Sequence, residues 1–397
     1  MIYFKTGCKL IDLVVGGNKG VYGFPAGKFI NIVGDKSAGK TFLANEIIAS
    51  NYYSFPKDKF RWVYDDCESG YSFDTNAMYG FDIMGDNPIH STTVEEAFCN
   101  ISDFADSLKK GQFGIYVLDS LDALTSAEQD THAEERLKAF HSEKEYDKGS
   151  YNMGKQKYLS QEFCPQLCSK IQNKNILVII ISQIRENIDM FSFEKFSRSG
   201  GKAIDFYAHT VLWLATMKKI VKKERAVGVV VKAKVTKSKT PRPFRDCIFS
   251  FLYDYGLDDT GTSVDYLFDL RTEKGELNTK AKALQWDGDG GLDLAKLKKF
   301  LDEAELSDAF EKSKYFDGKP TAEDIFDFVQ SKKAYREKYA EKFGVSMTRE
   351  ELIAYVEDND LGEELSARVE KKWEDFEDSL KTTRRKKYSS QPEAKNG

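Results

Sequence analysis

No apolar stretch in this 397-residue chain is long enough to span a bilayer, and the opening MIYFKTG lacks the character of a secretion signal. A cytosolic setting with no membrane partner is therefore expected. Cysteine is sparse: residues 8, 67, 99, 164, 168 and 247 form no CxxC pair. The one helical i, i+4 spacing, Cys164 with Cys168, reads as packing in preference to a metal site. Four scattered histidines supply no ligand cluster, so no structural zinc is expected. The chain also lacks a strong charge of either sign. Its net charge is −5 although 31% of its residues are charged, so any contact with a polyanion must come from local patches. With 41% hydrophobic residues, the length suits one large core and a smaller second domain.

The most informative stretch is NIVGDKSAGKTFLA, residues 31–44. Gly34, Asp35, Lys36, Ser37, Ala38, Gly39, Lys40 and Thr41 spell G-x-x-x-x-G-K-T, a pattern whose backbone N–H groups cradle phosphates at a helix N-terminus. Phe29, Ile30, Ile32 and Val33 predict a strand before it, and Phe42 to Ala49 predict a helix after it. Lys40 is expected to reach the β- and γ-phosphates of ATP, and Thr41 to ligate Mg²⁺. Three further runs, RWVYDDCES (61–69), FGIYVLDSLDAL (113–124) and ILVIIISQIRE (176–186), are apolar on both faces and end in polar residues. Open parallel sheets place ligands at strand C-termini, so these ends are expected to converge on one nucleotide. Asp119 is the expected Mg²⁺ holder. Among Asp65, Asp66 and Glu68, Glu68 is the favoured group to activate water, and Gln183 the favoured contact to the γ-phosphate. Spacing alone leaves a solvated loop acid as the alternative for Glu68 and a backbone-capping amide as the alternative for Gln183.

Seven segments in fixed order resemble the RecA-type recombinases, including bacterial RecA proteins and UvsX-like phage recombinases. They are TGCKLIDLVVGG with GFPAGKFINIVGDKSAGKT; YDDCES; YVLDSLDALT; GSYNMGK; ISQIRENIDMF with SGGKAIDFYA; VTKSKTPRPF; and YDYGLD. The resemblance covers roughly residues 6–270. It implies an α/β fold: a RecA-like P-loop NTPase core with a mainly parallel central sheet over 1–270. It also implies a DNA-dependent ATPase that assembles on single-stranded DNA and promotes homologous pairing and strand exchange with double-stranded DNA. Glu68 then corresponds to the catalytic glutamate, and Gln183 to the glutamine linking the γ-phosphate to a second DNA-binding loop over 185–202. In that loop Arg185, Ile188, Gly200, Gly201 and Lys202 are implied DNA-binding residues, with Ile188 inserting between base triplets. Met153 and Gly154 match the end of a first DNA-binding loop near 149–155. Lys237 and Lys239 match a pair that reaches the neighbouring subunit's nucleotide. The implied partners are DNA, further copies of the chain in a helical filament or ring, and single-strand-binding or mediator proteins.

The chain also departs from the family pattern. The phosphate loop begins after only 33 residues, so the neighbour-gripping N-terminal arm of bacterial members is expected to be missing. Ser182 stands where bacterial members commonly carry asparagine, and Asn187 where a basic residue is often found. The charged segment 128–148 reads as a solvated helix. Lys218, Lys219, Lys222, Lys223 and Arg225, followed by Lys232, Lys234, Lys237, Lys239, Arg242 and Arg245, form either a DNA-facing patch or a lysine-protected edge-strand pair. Beyond these, 271–291 reads as a linker and 292–380 as a small C-terminal helical domain, with Thr321 a helix cap and Thr348 with Glu351 a capping box. Residues 381–397 read as a basic, disordered tail. A RecA-fold hexameric helicase and a recombinase-loading paralogue are the alternative functions.

Overall fold

The computed structural model describes residues 2–384 except 18, 86–87, 130, 132–140, 142–152, 187–195, 199–200, 241, 279–283, 285, 287–293 and 344–346. Its frame is a sheet whose strands run, in spatial order, β11 (Gly256–Leu257), β10 (Asp246–Leu252), β9 (Arg225–Ser238), β8 (Thr210–Lys222), β3 (Lys28–Gly34), β6 (Ile176–Glu186), β5 (Phe113–Asp119) and β4 (Phe60–Asp66). The five strands from β8 to β4 are parallel, and the rest continue antiparallel. A short β7 (Phe196–Arg198) pairs with the end of β6, while β1 (Tyr3–Phe4) and β2 (Phe24–Pro25) form a separate ribbon.

The alternation of side chains across a strand, with a core on each face, explains why the central runs are almost wholly apolar; the buried Asn31 of β3 is satisfied by Ile180 O and Ser182 Oγ. In β3, Ile30 and Ile32 enter one core while Phe29 and Val33 enter the other. Ile115 and Val117 of β5 and Leu177, Ile179 and Ile181 of β6 join the first core; Tyr116, Leu118, Ile176, Val178 and Ile180 join the second. The first is covered by α1 (Lys9–Val15) and α2 (Lys40–Ser54), with Leu43, Ile47 and Ile48 of α2 fully buried. On the opposite face α4 (Val94–Ser107), which follows the short α3 (Thr75–Tyr79), contributes Ala97, Ile101 and Phe104.

Two readings of the sequence are changed here. The basic run 218–245 is not an edge pair, because β9 lies between β8 and β10 and the edges of the main sheet are β4 and β11. Several of its cations are engaged internally: Lys232 with Asp246 at 3.2 Å, Lys218 with Glu276 at 3.4 Å, and Arg242 and Arg245 with Glu377. Secondly, the helices over 292–380 go to two different cores. Leu297, Phe300, Leu301, Ile325, Phe328, Val329 and Tyr339 form one of their own. By contrast, Leu352, Val356, Leu365, Val369 and Trp373, from the helices Arg349–Asp358 and Gly362–Ser379, complete the first core of the sheet. Ion pairs reinforce that docking: Lys9 with Glu370 at 2.6 Å, Arg245 with Glu377 at 2.9 Å, and Arg349 with the buried Asp265 at 2.5 Å. The 271–291 stretch is anchored where Leu284 bridges Met347 and where Trp286 lies buried beneath Arg368. Thr321 and Thr348 both close capping boxes, with Asp324 and Glu351.

Candidate functional site

Glycine is required at the mouth of α2. Gly39 adopts φ +83°, a left-handed conformation that L side chains disfavour, and a Cβ there would lie 2.5 Å from the Phe251 ring. Ser37 is also left-handed at φ 58°, and Ala38 N–H donates to Asp35 O at 3.2 Å. These turns lift the exposed Asp35, Lys36 and Ser37 away from the sheet and leave the first N–H groups of α2 without intrahelical partners. Lys40 folds back over the loop, donating to Gly34 O at 3.0 Å and Asp35 O at 2.9 Å. Burial pulls its pKa down, against the carboxylates of Asp119 and Glu68, which favour the charged form.

Register aligns the strand ends: Gly34 lies opposite Gln183, and Asp66 opposite Asp119. Thr41 Oγ1 donates to Asp119 Oδ2 at 2.7 Å, and Tyr64 OH donates to the same oxygen at 2.6 Å. Burial raises the Asp119 pKa, and these two hydrogen bonds hold it back. The neighbouring carboxylates divide by environment. Asp65 is fully buried, accepting from Ser91 N–H (2.8 Å), Ser91 Oγ (2.6 Å) and Tyr116 OH (2.7 Å), so it fastens the sheet to the loop before α4. Asp66 accepts from Tyr71 N–H at 3.0 Å. Glu68 instead stands exposed at the mouth of the site, where its Oε1 accepts from Ser120 Oγ at 2.5 Å and Gln183 Nε2 at 2.8 Å. Gln183 N–H donates to Asp122 Oδ2 at 2.7 Å.

One contiguous set thus gathers Lys40, Thr41, Asp119, Glu68 and Gln183. Its chemistry suits a nucleoside triphosphate with a hard cation: open backbone N–H donors and an ammonium for phosphates, and a hydroxyl–carboxylate oxygen pair for Mg²⁺. Tyr64, Ser120, Asp122 and Phe251 are the members that motif reasoning passed over. Ser120 and Asp122 could have been read from LDSLDAL, where polar residues continue past the strand end.

Lys237 and Lys239 lie elsewhere. Lys237 pairs with Val211 in β9–β8 register, and Val211 with Asn31, three residues before Gly34. At ~3.3 Å per residue that is ~10 Å down the sheet from the phosphate loop. Lys237 Nζ donates to Phe206 O at 2.9 Å and to Ala208 O, and Lys239 Nζ to Tyr207 O at 3.2 Å, so the pair binds the C-terminal carbonyls of the helix Gly201–Tyr207. Of the expected DNA-facing residues, Met153 and Gly154 open the helix Met153–Tyr158, Arg185 pairs with Ser197 across β6 and β7, and Gly201 and Lys202 begin the helix that follows. Ile188 and Gly200 lie outside the described residues, as does most of 128–148 and all of 385–397.

Residues 3–258 match the RecA N-terminal domain. The chain is 29% identical over 264 residues to "Protein RecA" of Cereibacter sphaeroides, a match spanning 66% of this chain and 69% of that protein. It is 28% identical over 265 residues to "Protein RecA" of Acinetobacter baylyi, spanning 66% of this chain and 68% of the relative. For "Protein RecA" of Ehrlichia ruminantium the identity is 28% over 260 residues, 66% of each chain. The matched span contains the whole phosphate loop, the four strand ends around it and the lysine pair, and the chain belongs to the RecA family as a RecA-type recombinase.

Proposed function

We propose that this chain hydrolyses ATP with Mg²⁺ while assembled on single-stranded DNA, and that this cycle drives homologous pairing and strand exchange in the cytoplasm. The observation that carries the reading is that the Thr41–Asp119 hydrogen bond, the Ser120–Glu68–Gln183 hydrogen bonds and the Lys40 ammonium folded onto Gly34 and Asp35 all meet where the parallel strands end and α2 begins.

Each residue then has a task. Gly34 to Thr41 bind the triphosphate through backbone N–H groups, with Lys40 neutralising the β- and γ-phosphates. Thr41 and Asp119 are the oxygen donors for Mg²⁺, which when bound would neutralise phosphate charge. Glu68 takes the proton of the attacking water. Its Oε1 is engaged by Ser120 and Gln183, so a Gln183 amide that turns to a γ-phosphate oxygen frees the carboxylate for water. Gln183 lies in the strand that leads into residues 185–202, which gives the γ-phosphate a short covalent path to a DNA-binding segment. Met153, Gly154, Arg185, Ile188, Gly200, Gly201 and Lys202 are the proposed DNA contacts.

The lysine pair argues for a site shared between copies. Lys237 and Lys239 are tied down the sheet from their own phosphate loop, to the end of the helix Gly201–Tyr207, so stacking copies head to tail is what would bring them to a nucleotide. There they would stabilise transition-state charge only after assembly. Single-strand-binding or mediator proteins are proposed as further partners. The test is electron microscopy of the full chain with single-stranded DNA and a slowly hydrolysed ATP analogue, alongside a strand-exchange assay. Helical filaments and exchanged strands are expected; closed rings that unwind duplex without regard to homology would overturn the reading.

A further inference from the structure

Lys155 follows Gly154 directly and sits half-buried in the first turn of the helix Met153–Tyr158. Its ammonium donates to Leu121 O at 2.8 Å and to Leu124 O at 2.5 Å. Both carbonyls belong to the turn that leaves β5 immediately after Asp119. That turn also serves the nucleotide site: Ser120 Oγ donates to Glu68, and Asp122 accepts the backbone N–H of Gln183. It is stiff. Leu121 N–H donates to Ile181 O at 3.0 Å, Ala123 N–H to Ser120 O at 3.1 Å, and the Leu121 and Leu124 side chains are buried in the second core.

The helix carrying Lys155 is interrupted. It passes into a π-helical turn, Leu159–Phe163, before resuming α-helix at Cys164–Ile171. Such turns are rare, occur mostly at functional sites, and are places where a helix can kink. Leu159 and Phe163 pack in the core that holds Leu121 and Leu124, so this end is fixed while the first turn carries the cation. Cation–carbonyl hydrogen bonds lose most of their strength when stretched by about 1 Å, so a displacement of the first turn must either break the Lys155 bonds or pull the 120–124 turn along.

We propose that Lys155 is a positioning residue that carries engagement of the first DNA-binding loop into the Glu68–Ser120–Gln183 set, by fixing the turn that orients both Glu68 and Gln183. The inference rests on the reading of Met153 and Gly154 as DNA-loop residues. It assigns Lys155 no contact with ATP, the attacking water or DNA.

The test uses the full-length chain, K155M and K155R, with ATP and a poly-deoxythymidine strand. Turnover is measured without DNA and across a DNA titration, and DNA affinity by anisotropy with a slowly hydrolysed ATP analogue. For K155M, DNA-free turnover within about twofold of the parent, DNA affinity within about threefold, and at least a tenfold smaller DNA-stimulated increment in kcat are expected. K155R, which keeps a cation able to reach carbonyls, restores most of that increment. Full stimulation of K155M overturns the inference, as does a loss of DNA affinity that accounts for the lost stimulation, because Lys155 would then be a DNA contact. Equal failure of K155R with unchanged melting overturns it also. A parent chain that binds nucleotide but whose turnover ignores DNA overturns the functional reading beneath it instead.

Discussion

Glu46 on α2 should make the stability of this protein fall as pH rises toward neutrality. The side chain is mostly buried, and its Oε1 accepts from Leu257 N–H at 2.7 Å and from Tyr79 OH at 3.0 Å; no ion pair to a cation is found for it among the described residues. Burial therefore dominates, raising its pKa from 4.5 to about 7. Between those values the folded chain binds more protons than the unfolded one. The contribution is thus fully present below pH ~4.5 and is lost as pH rises through about 7. Carrying the carboxyl from 4.5 to about 7 costs ~3 kcal/mol, reduced to about 2–3 kcal/mol because part of the carboxylate still meets water. For a chain of 397 residues this corresponds to ~3 °C in Tm. Glu46→Gln keeps an acceptor for Leu257 and Tyr79 but cannot ionise. Thermal and urea melts of parent and variant from pH 4.5 to 8 should diverge, with the variant gaining about 2–3 kcal/mol on the parent across that interval. Both will retain a common slope, since burial also raises Asp12 and Asp259 to about 6. Parallel pH profiles would mean that Glu46 ionises in the folded chain as it does in water, refuting the reasoning.

Two further outcomes concern the nucleotide site. Glu68→Gln should preserve nucleotide and DNA binding while slowing hydrolysis at least about 100-fold, as removal of a general base does; steady-state turnover equal to the parent would take Glu68 out of that role. Alanine at both Lys237 and Lys239 should spare nucleotide binding and remove DNA-stimulated turnover. Mixing that double variant with Glu68→Gln should recover activity at interfaces that pair an intact Glu68 with an intact lysine donor, and no recovery in co-assembled mixtures would place the completed site within one chain.

What the sequence made legible follows from which physical signals are local. The phosphate loop and the strand ends were readable because the mostly apolar run of each strand gives way to a cluster of polar residues at its C-terminal end. Which carboxylate does what was less readable. Asp65, Asp66 and Glu68 are alike in spacing and composition, and only the hydrogen bonds of Asp65 to Ser91 and Tyr116, residues 26 and 51 positions away, reveal it as a fastener of the fold. The C-terminal helices show the same limit. Amphipathic periodicity states that Leu352, Val356, Leu365 and Val369 must be covered, but not that the cover is the sheet's own first core. The pairing of Arg242 and Arg245 with Glu377, 135 and 132 residues apart, lies beyond any local window. That pairing also changes what the basic run can do. A cluster counted from sequence is a source of positive field only to the extent that its charges stay uncompensated, and here the folded chain spends Arg242, Arg245 and Lys232 on its own carboxylates and Lys237 and Lys239 on a helix terminus. These members of the basic run are therefore, in the isolated subunit, part of the fold, whereas Lys219, Lys222, Lys223, Arg225 and Lys234 stand exposed. Charge density along the chain overstated the free cationic surface because opposite charges distant in sequence meet in space.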